Sequence, residues 1–186
     1  TSLKYLFDKV GLKIIDIKMN DINGGSIAIT LAKKNSRHKE IKSKINKILK
    51  NEKKDQLDRS LTFIKFFNKI KIEKKKLINL LKKFKNANKL VLGYGASTKG
   101  NILLNYCKIN NSLIKYIAEV NSFKFGKQTP GTGIDIISEK KAKQMKPDYF
   151  LVFPWHFKNF ILAKEKKLMK QKNTRFIFPL PKLTIF

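Results

Sequence analysis

Between Leu90 and Cys107 the chain reads Leu-Val-Leu-Gly-Tyr-Gly-Ala-Ser-Thr-Lys-Gly-Asn-Ile-Leu-Leu-Asn-Tyr-Cys, an apolar strand pattern that passes through glycines into an amphipathic helix. Glycines at 93 and 95 let the backbone turn sharply and approach a ligand, Ser97 or Thr98 supplies a helix cap, and the first-turn N–H groups favour an anion. Lys99 adds a mobile positive charge. The spacing is neither of the standard phosphate-binding patterns. A dinucleotide fingerprint would need glycine where Thr98 stands, and a P-loop ending at Gly100 would need lysine where Asn101 stands. Two readings therefore stand side by side: a turn that only closes a βα unit, and a loop that holds a ligand.

Beyond Lys89 short apolar runs alternate with helices, as in a parallel α/β unit. Strands are predicted at Lys89–Leu92, Leu113–Val120, Tyr149–Phe153 and Arg175–Leu180, with a short extended piece at Ile134–Ile137. Helices are predicted over Gly100–Lys108, over Ser138–Met145 with Ser138 as cap, and from about Phe157 to Lys170. Pro179 and Pro181 end the last strand near a sheet edge.

Upstream the pattern differs. Residues 1–34 read as a helix from Ser2 to Val10 and two alternating strands, Leu12–Met19 and Ser26–Ala32, around the turn residues Asp21 to Gly25. A helix and a hairpin cannot build a core and must lean on other structure. Residues 35–88 are lysine-rich and helical. A lapse of apolar positions at Asn51–Asp55 separates a short helix from a long one, whose Phe63, Phe66, Phe67, Ile70, Leu77, Leu80, Leu81 and Phe84 form an expected buried stripe. The chain starts at Thr1 inside a helix pattern and without methionine, so a piece of a longer protein is expected.

Charge and cysteine narrow the chemistry. There are 42 basic and 13 acidic residues, net +29, which raises nucleic acid or an anionic surface as partner. All the basic residues except Arg37, Arg59 and Arg175 are lysine, beside plentiful Asn and Ile, the bias of an AT-rich genome. Base reading and bidentate phosphate contacts lean on arginine, so no specific nucleic-acid partner is expected. The field still draws anionic substrates. Cys107 is the single cysteine, which excludes an intrachain disulfide and a thiolate cluster, and its place on the helix's apolar face makes it a small buried hydrophobe. With no signal peptide and no apolar run near 18 residues, a cytoplasmic protein without a membrane partner is expected.

If the strands are parallel, Gly93–Ser97, Glu119–Ser122 and Phe153–His156 meet at the carboxyl edge of one sheet, where open α/β folds hold ligands. Glu119 stands where an acid accepts from ribose hydroxyls, or else is a solvated strand-end carboxylate or a partner for one of the many lysines. Trp155 stacks on a ligand or packs on the core. His156 donates to an anion or lies on the surface. Pro130–Gly133 either closes over the crevice or returns the chain. There is no Ser/His/Asp set, no HExxH and no His pair with carboxylates, so neither catalytic nor metal residues are assigned.

The run Gly93 to Cys107 resembles the carboxyl-terminal domain of S-adenosylmethionine-dependent sugar C-methyltransferases. Further motifs of that family occur in order. Glu119-Val120-Asn121 resembles its acid-x-Asn-Pro turn, with Ser122 in place of Pro; Thr129-Pro130-Gly131-Thr132 its Pro-Gly-Thr loop; Pro147-Asp148-Tyr149 its Pro-Asp-Tyr strand opening; and Pro154-Trp155-His156-Phe157 its Pro-Trp segment. Asn23-Gly24-Gly25-Ser26 is similar to its Gly-Gly-Ser hairpin, with Asn23 where many members have His, and Phe160 replaces a common acid. The resemblance implies that 1–34 is the end of a class I methyltransferase domain, 35–88 a helical linker and 89–186 a Rossmann-like domain. It implies S-adenosylmethionine as cofactor, bound mainly by a domain upstream of Thr1, together with an upstream base and a zinc module. The implied reaction removes a proton beside the ketone of a nucleotide-linked keto-sugar and lets the enolate carbon take the methyl group. This fragment would contribute substrate binding and be inactive alone. On helix-terminus anion binding, Ser97, Thr98, Lys99 and Asn101 are expected to hold the sugar nucleotide's diphosphate, with Tyr94, Glu119, Trp155 and His156 lining the crevice. Two other classes remain open: a basic nucleic-acid-binding module, and a nicotinamide-dependent Rossmann enzyme.

Overall fold

Alternating apolar residues in β1 (Leu12–Asn20) and β2 (Ser26–Lys33) pair as an antiparallel hairpin that follows helix α1 (Ser2–Lys9). The computed structural model describes the backbone of residues 1–186 and the side chains of all but residues 171 and 172, and it divides into two units, 1–68 and 69–186. In the first unit the cover that the hairpin needs comes from α2 (Lys42–Lys54). Ile45 of that helix is buried with Ile14 and Ile17, and Phe7, Ile29, Leu31, Ile48 and Leu49 pack around them.

Helix α3 (Ser60–Asn86) carries the boundary between the units. The break before it falls at 55–59 and not at Asn51–Asp55, because α2 runs on through Lys54 and the reversal uses the left-handed Gln56. The expected buried stripe is also corrected. Leu77, Leu81 and Phe84 are buried, but Phe63, Phe66 and Phe67 are between 49% and 62% exposed, as are Leu61 and Ile64. Apolar residues at 61, 63, 64, 66 and 67 lie around most of the helix. Only the later ones share a single face at the three-to-four spacing that packs.

The second unit is a six-stranded sheet in the order β5-β4-β3-β6-β7-β8, comprising β3 (Val91–Tyr94), β4 (Ile117–Glu119), β5 (Ile136–Ser138), β6 (Tyr149–Val152), β7 (Arg175–Phe178) and β8 (Thr184–Ile185). All neighbours are parallel except β7 and β8. Counted from β3, this is the 3-2-1-4-5-6 order of doubly wound, Rossmann-like sheets. Period-two alternation splits the core into two layers. Val91, Ile117, Leu151, Phe153 and Ile177 face α3 and α4 (Thr98–Cys107), while Leu92, Tyr94, Phe150, Val152, Phe176 and Phe178 face α5 (Glu139–Gln144), α6 (Lys158–Lys164) and α7 (Lys166–Lys172). Cys107 is buried, as its position on the apolar face implies, and burial pushes its thiol up.

Three predicted elements differ. The Phe157–Lys170 helix opens with a single 3-10 turn at Trp155–Phe157 and is interrupted at Glu165, whose carboxylate is drawn inward to Tyr94 and Lys143. The Leu113–Val120 strand is regular only over Ile117–Glu119; the Tyr116 carbonyl still accepts from the Gly93 amide at 2.8 Å, but Leu113 and Ile114 donate to the Asn110 carbonyl in a turn. Strand β7 is not the last: Phe176 and Phe186 exchange backbone bonds at 2.9 and 3.0 Å, and β8 forms the edge beyond it.

Phe153 sets the distance between β3 and α4. A Cβ at Gly93 would stand 2.6 Å from Phe153 Cε2 and 2.8 Å from Ile117 Cγ1, and one at Gly100 would stand 2.6 Å from Phe153 Cβ. Both glycines are therefore small because a buried ring lies against them. Gly93→Ala is expected to cost about 1–3 kcal/mol by overpacking, read from urea unfolding. The same change made beside Phe153→Leu is expected to cost less, because the shorter side chain vacates the space; strictly additive losses would contradict the packing account.

Candidate functional site

In a doubly wound sheet the ligand crevice opens where successive connections leave to opposite sides, outside the carboxyl ends of the strands. Here that point lies between β3 and β6, so the two segments that border it are residues 95–99 and 153–156. They are the glycine turn and the Pro-Trp-His segment. The turn itself depends on Gly95, whose φ of +82° is a conformation that side-chain-bearing residues rarely adopt. Ser97 then adopts extended geometry, and its Oγ accepts from the Gly100 amide at 3.0 Å, while the Asn101 amide donates to the Ser97 carbonyl at 3.0 Å. Ser97 is the cap, and Thr98, Lys99 and Asn101 lie in the first turn of α4. That turn places the positive end of a ten-residue helix at the carboxyl edge.

His156 lies on the opposite side of the crevice. Its Nδ1 is buried without a hydrogen-bond partner, and its ring is 4.3 Å from that of Phe157. Burial first, and then the positive field of Lys99, hold its pKa below the usual histidine value, so the ring is neutral near pH 7. Lys99, in the first turn of α4, and His156, in the segment after β6, follow the two strands that flank the switch point. Trp155 packs against the core layer that contains Tyr94 and Phe150, with its ring edge-on to His156.

Glu119 does something that its spacing did not specify. It is 8% exposed, and each oxygen is engaged. Oε1 accepts from the Val120 amide at 2.7 Å and the Asn121 amide at 3.1 Å; Oε2 accepts from the Ala96 amide at 3.0 Å and from Lys124 Nζ at 3.3 Å. Lys124 also donates to the Ala96 carbonyl at 2.8 Å. The acid and the lysine thus grip both polar groups of Ala96 and tie the glycine turn to the loop after β4. Burial pushes the Glu119 carboxyl up, but the amides of Asn121 and Val120 and the Lys124 ammonium outweigh it and hold it below the usual range. Lys124 was invisible among so many lysines; its spacing of five from a strand-end acid is the one available signal.

Tyr94 is directed into the layer opposite α4. It is 5% exposed, edge-on to Phe150 and Phe176, and its hydroxyl donates to Glu165 Oε1 at 2.8 Å and accepts from Lys164 Nζ at 3.1 Å. Lys143 bridges Glu165 and Glu139, and Lys164 closes on Glu139 at 2.9 Å, so two carboxylates and two ammonium groups balance around the phenol. Burial, then the bond to Glu165, pushes the phenol up, and it stays protonated. The Pro130–Gly133 turn is fastened to the flank of α4, where Asn105 Nδ2 donates to the Pro130 carbonyl at 3.0 Å. Thr129 shapes that turn from within: its Oγ1 accepts from the Ile134 amide at 2.9 Å. Among the described residues no group of three or more His, Cys, Asp or Glu is placed to hold a metal ion, and no helix is long and apolar enough to cross a membrane.

Residues 21–181 match the family described as the C-methyltransferase C-terminal domain. The chain belongs to this family. Over 180 residues, 97% of the chain, it is 30% identical to the C-methyltransferase NovU of Streptomyces niveus, of which the chain spans 42%. Two of the motifs that carry the resemblance to C-methyltransferases are held by specific contacts. The Glu119-Val120-Asn121 turn is closed by the acid's bonds to its own following amides and by Asn121 Oδ1 accepting from the Phe123 amide at 3.1 Å. At the opposite edge, Asp148 of the Pro-Asp-Tyr segment accepts from the Leu90 amide at 2.8 Å and so anchors the start of β3.

Glu119→Gln is expected to destabilise the chain by about 1–3 kcal/mol at pH 7, because an amide nitrogen then faces backbone donors. A carboxyl held below its usual value of 4.5 contributes stability that is present above that value and is lost as pH falls through the folded-state value. The difference between wild type and variant, measured by urea unfolding, should therefore shrink below pH 4.5. A constant difference from pH 7 to pH 3 would contradict the charged role.

Proposed function

We propose that this chain is the carboxyl-terminal portion of a C-methyltransferase that acts on a nucleotide-linked keto-sugar, and that it supplies a substrate-binding surface. In this reading residues 1–34 are the end of a class I methyltransferase domain, 35–88 a helical linker and 89–186 the substrate-binding domain. The observation that carries it is the first turn of α4 at the sheet's switch point, with Ser97 capping the helix, Lys99 in that turn and His156 in the segment after the neighbouring strand β6. A diphosphate carries the negative charge that a helix N-terminus and an ammonium favour. Ser97, Thr98, Lys99 and Asn101 hold that diphosphate, and Trp155 and His156 line the sugar side. Tyr94 and Glu119 support the crevice through the contacts described above, and the name of the relative, a C-methyltransferase, fits the methyl-transfer part of this reading.

S-adenosylmethionine is the methyl donor in this reading, held by the longer protein outside this crevice. The crevice does not fit a nucleoside cofactor through Glu119, because both oxygens of the acid that would take ribose hydroxyls are already engaged by Ala96, Val120, Asn121 and Lys124. The same filled carboxylate argues against a nicotinamide nucleotide there.

Calorimetric titration with a panel of nucleoside diphosphate-linked keto-sugars tests the assignment. Lys99→Ala is expected to weaken binding about tenfold, the effect of removing one charge-assisted contact, and unchanged affinity would contradict the diphosphate role. Duplex DNA binding tightly with a steep salt dependence, and no response to the sugars, would favour a nucleic-acid module instead. A radiolabelled-methyl assay of the isolated chain with the same sugars is expected to show no transfer.

A further inference from the structure

The basic residues of this chain are spread widely, yet they concentrate around one concave place within residues 1–68. A basin of about 820 Å³ opens between the end of α1, the start of β1 and the segment from Lys34 to Lys42, and six of its ten lining residues are Lys or Arg, against 42 among all 186. Its size is within the range of small-molecule sites, roughly 300–1,000 Å³. One of the chain's three arginines, Arg37, is on its wall. Of the two acids that line it, Asp8 is paired with Lys4 at 2.6 Å, which leaves five of the six cations against Glu40.

Four features make this a formed site and not a scatter of surface charge. The segment is pinned at both ends: the Lys34 amide donates to the carbonyl of Gly11, just before β1, and the Ile41 amide to that of Ile15 within it, each at 2.9 Å. Lys13 crosses beneath and donates to the Ser36 carbonyl at 2.8 Å. Helix α2 starts at this rim with Lys42; the preceding Ile41 offers no side-chain cap, and no acid stands in the first turn of its thirteen residues. The Ser36 Oγ is buried and has no hydrogen-bond partner. A buried hydroxyl without a partner costs stability that a ligand oxygen would restore. An uncapped helix start favours an anion.

We propose that this basin binds a small phosphoryl anion, a phosphate ester or a diphosphate, with Arg37, Lys39 and Lys34 as cationic partners, the start of α2 as amide donor and Ser36 as hydroxyl partner. The site does not rest on the crevice at α4. It fits a compact, multiply charged ligand, for which Arg37 supplies the forked donor that lysine lacks.

The test titrates inorganic pyrophosphate into the chain carrying Lys99→Ala, which weakens the crevice at α4, with backbone amide shifts followed by NMR so that shifts at residues 97–101 are read separately from those of the basin. Saturable binding with shifts clustered at residues 34–42 is expected. Arg37→Ala combined with Lys39→Ala should weaken it about tenfold or more, whereas Lys50→Ala combined with Lys53→Ala, at the far end of α2, should leave affinity within about twofold. Ser36→Ala should leave the melting temperature unchanged or raised while lowering affinity, a pairing that a purely structural serine would not produce. Equal weakening by both lysine-bearing pairs, shifts spread over the whole chain, or no saturation would overturn the proposal. So would an oligonucleotide duplex that binds the same residues more tightly than pyrophosphate, since the ligand would then be nucleic acid.

Discussion

The Glu119 carboxylate fixes how the ends of β3 and β4 stand relative to each other. A buried acid is costly in isolation, and this one is stabilised by three backbone amides and an ammonium. Because Lys124 takes the Ala96 carbonyl while Glu119 takes its amide, the residue after Gly95 is held on both sides. Everything downstream of it inherits that placement: the extended Ser97, its cap on Gly100, and the direction in which the first turn of α4 points. From the other side Phe153 packs against Gly93 and Gly100, so side-chain volume and backbone polarity constrain the same short stretch.

Two kinds of interaction therefore share the carboxyl edge. On the α4 side the helix start turns its positive end toward the carboxyl edge, with Lys99 in its first turn. On the opposite layer, charges are arranged to cancel, with Glu139 and Glu165 balanced by Lys143 and Lys164 around the Tyr94 phenol. A chain with net charge +29 has repulsion to manage, and it does so here by placing scarce acids where they are buried. Glu165 is 3% exposed and interrupts its helix to reach this position.

Much of this was legible in the residues. Short apolar runs at Lys89–Leu92, Tyr149–Phe153 and Arg175–Leu180 between helical stretches marked the parallel strands, Ser97 or Thr98 and Ser138 marked helix caps, and the family's motifs appeared in order. The features that were not legible have physical reasons. Helical spacing put Phe63, Phe66 and Phe67 on a stripe but carries no information about what covers a stripe, and they are exposed. The two-residue strand β8 lies after two prolines and is too short to show a period. Position in a strand assigned Tyr94 to the carboxyl edge, while the pleat decided which layer received its ring. Glu119 was seen as an acid at a strand end, one of two readings, and its engagement by local amides became visible only with the backbone in place.

A crystal structure of the chain with a nucleoside diphosphate-linked keto-sugar bears most directly on the central claim that the edge built by Gly95, Ser97 and Glu119 is a diphosphate site. The account predicts phosphate oxygens within hydrogen-bond reach, about 2.7–3.2 Å, of the amides between Ser97 and Asn101 and of Lys99 Nζ. A sugar nucleotide bound elsewhere, with that turn in contact only with solvent, would contradict it.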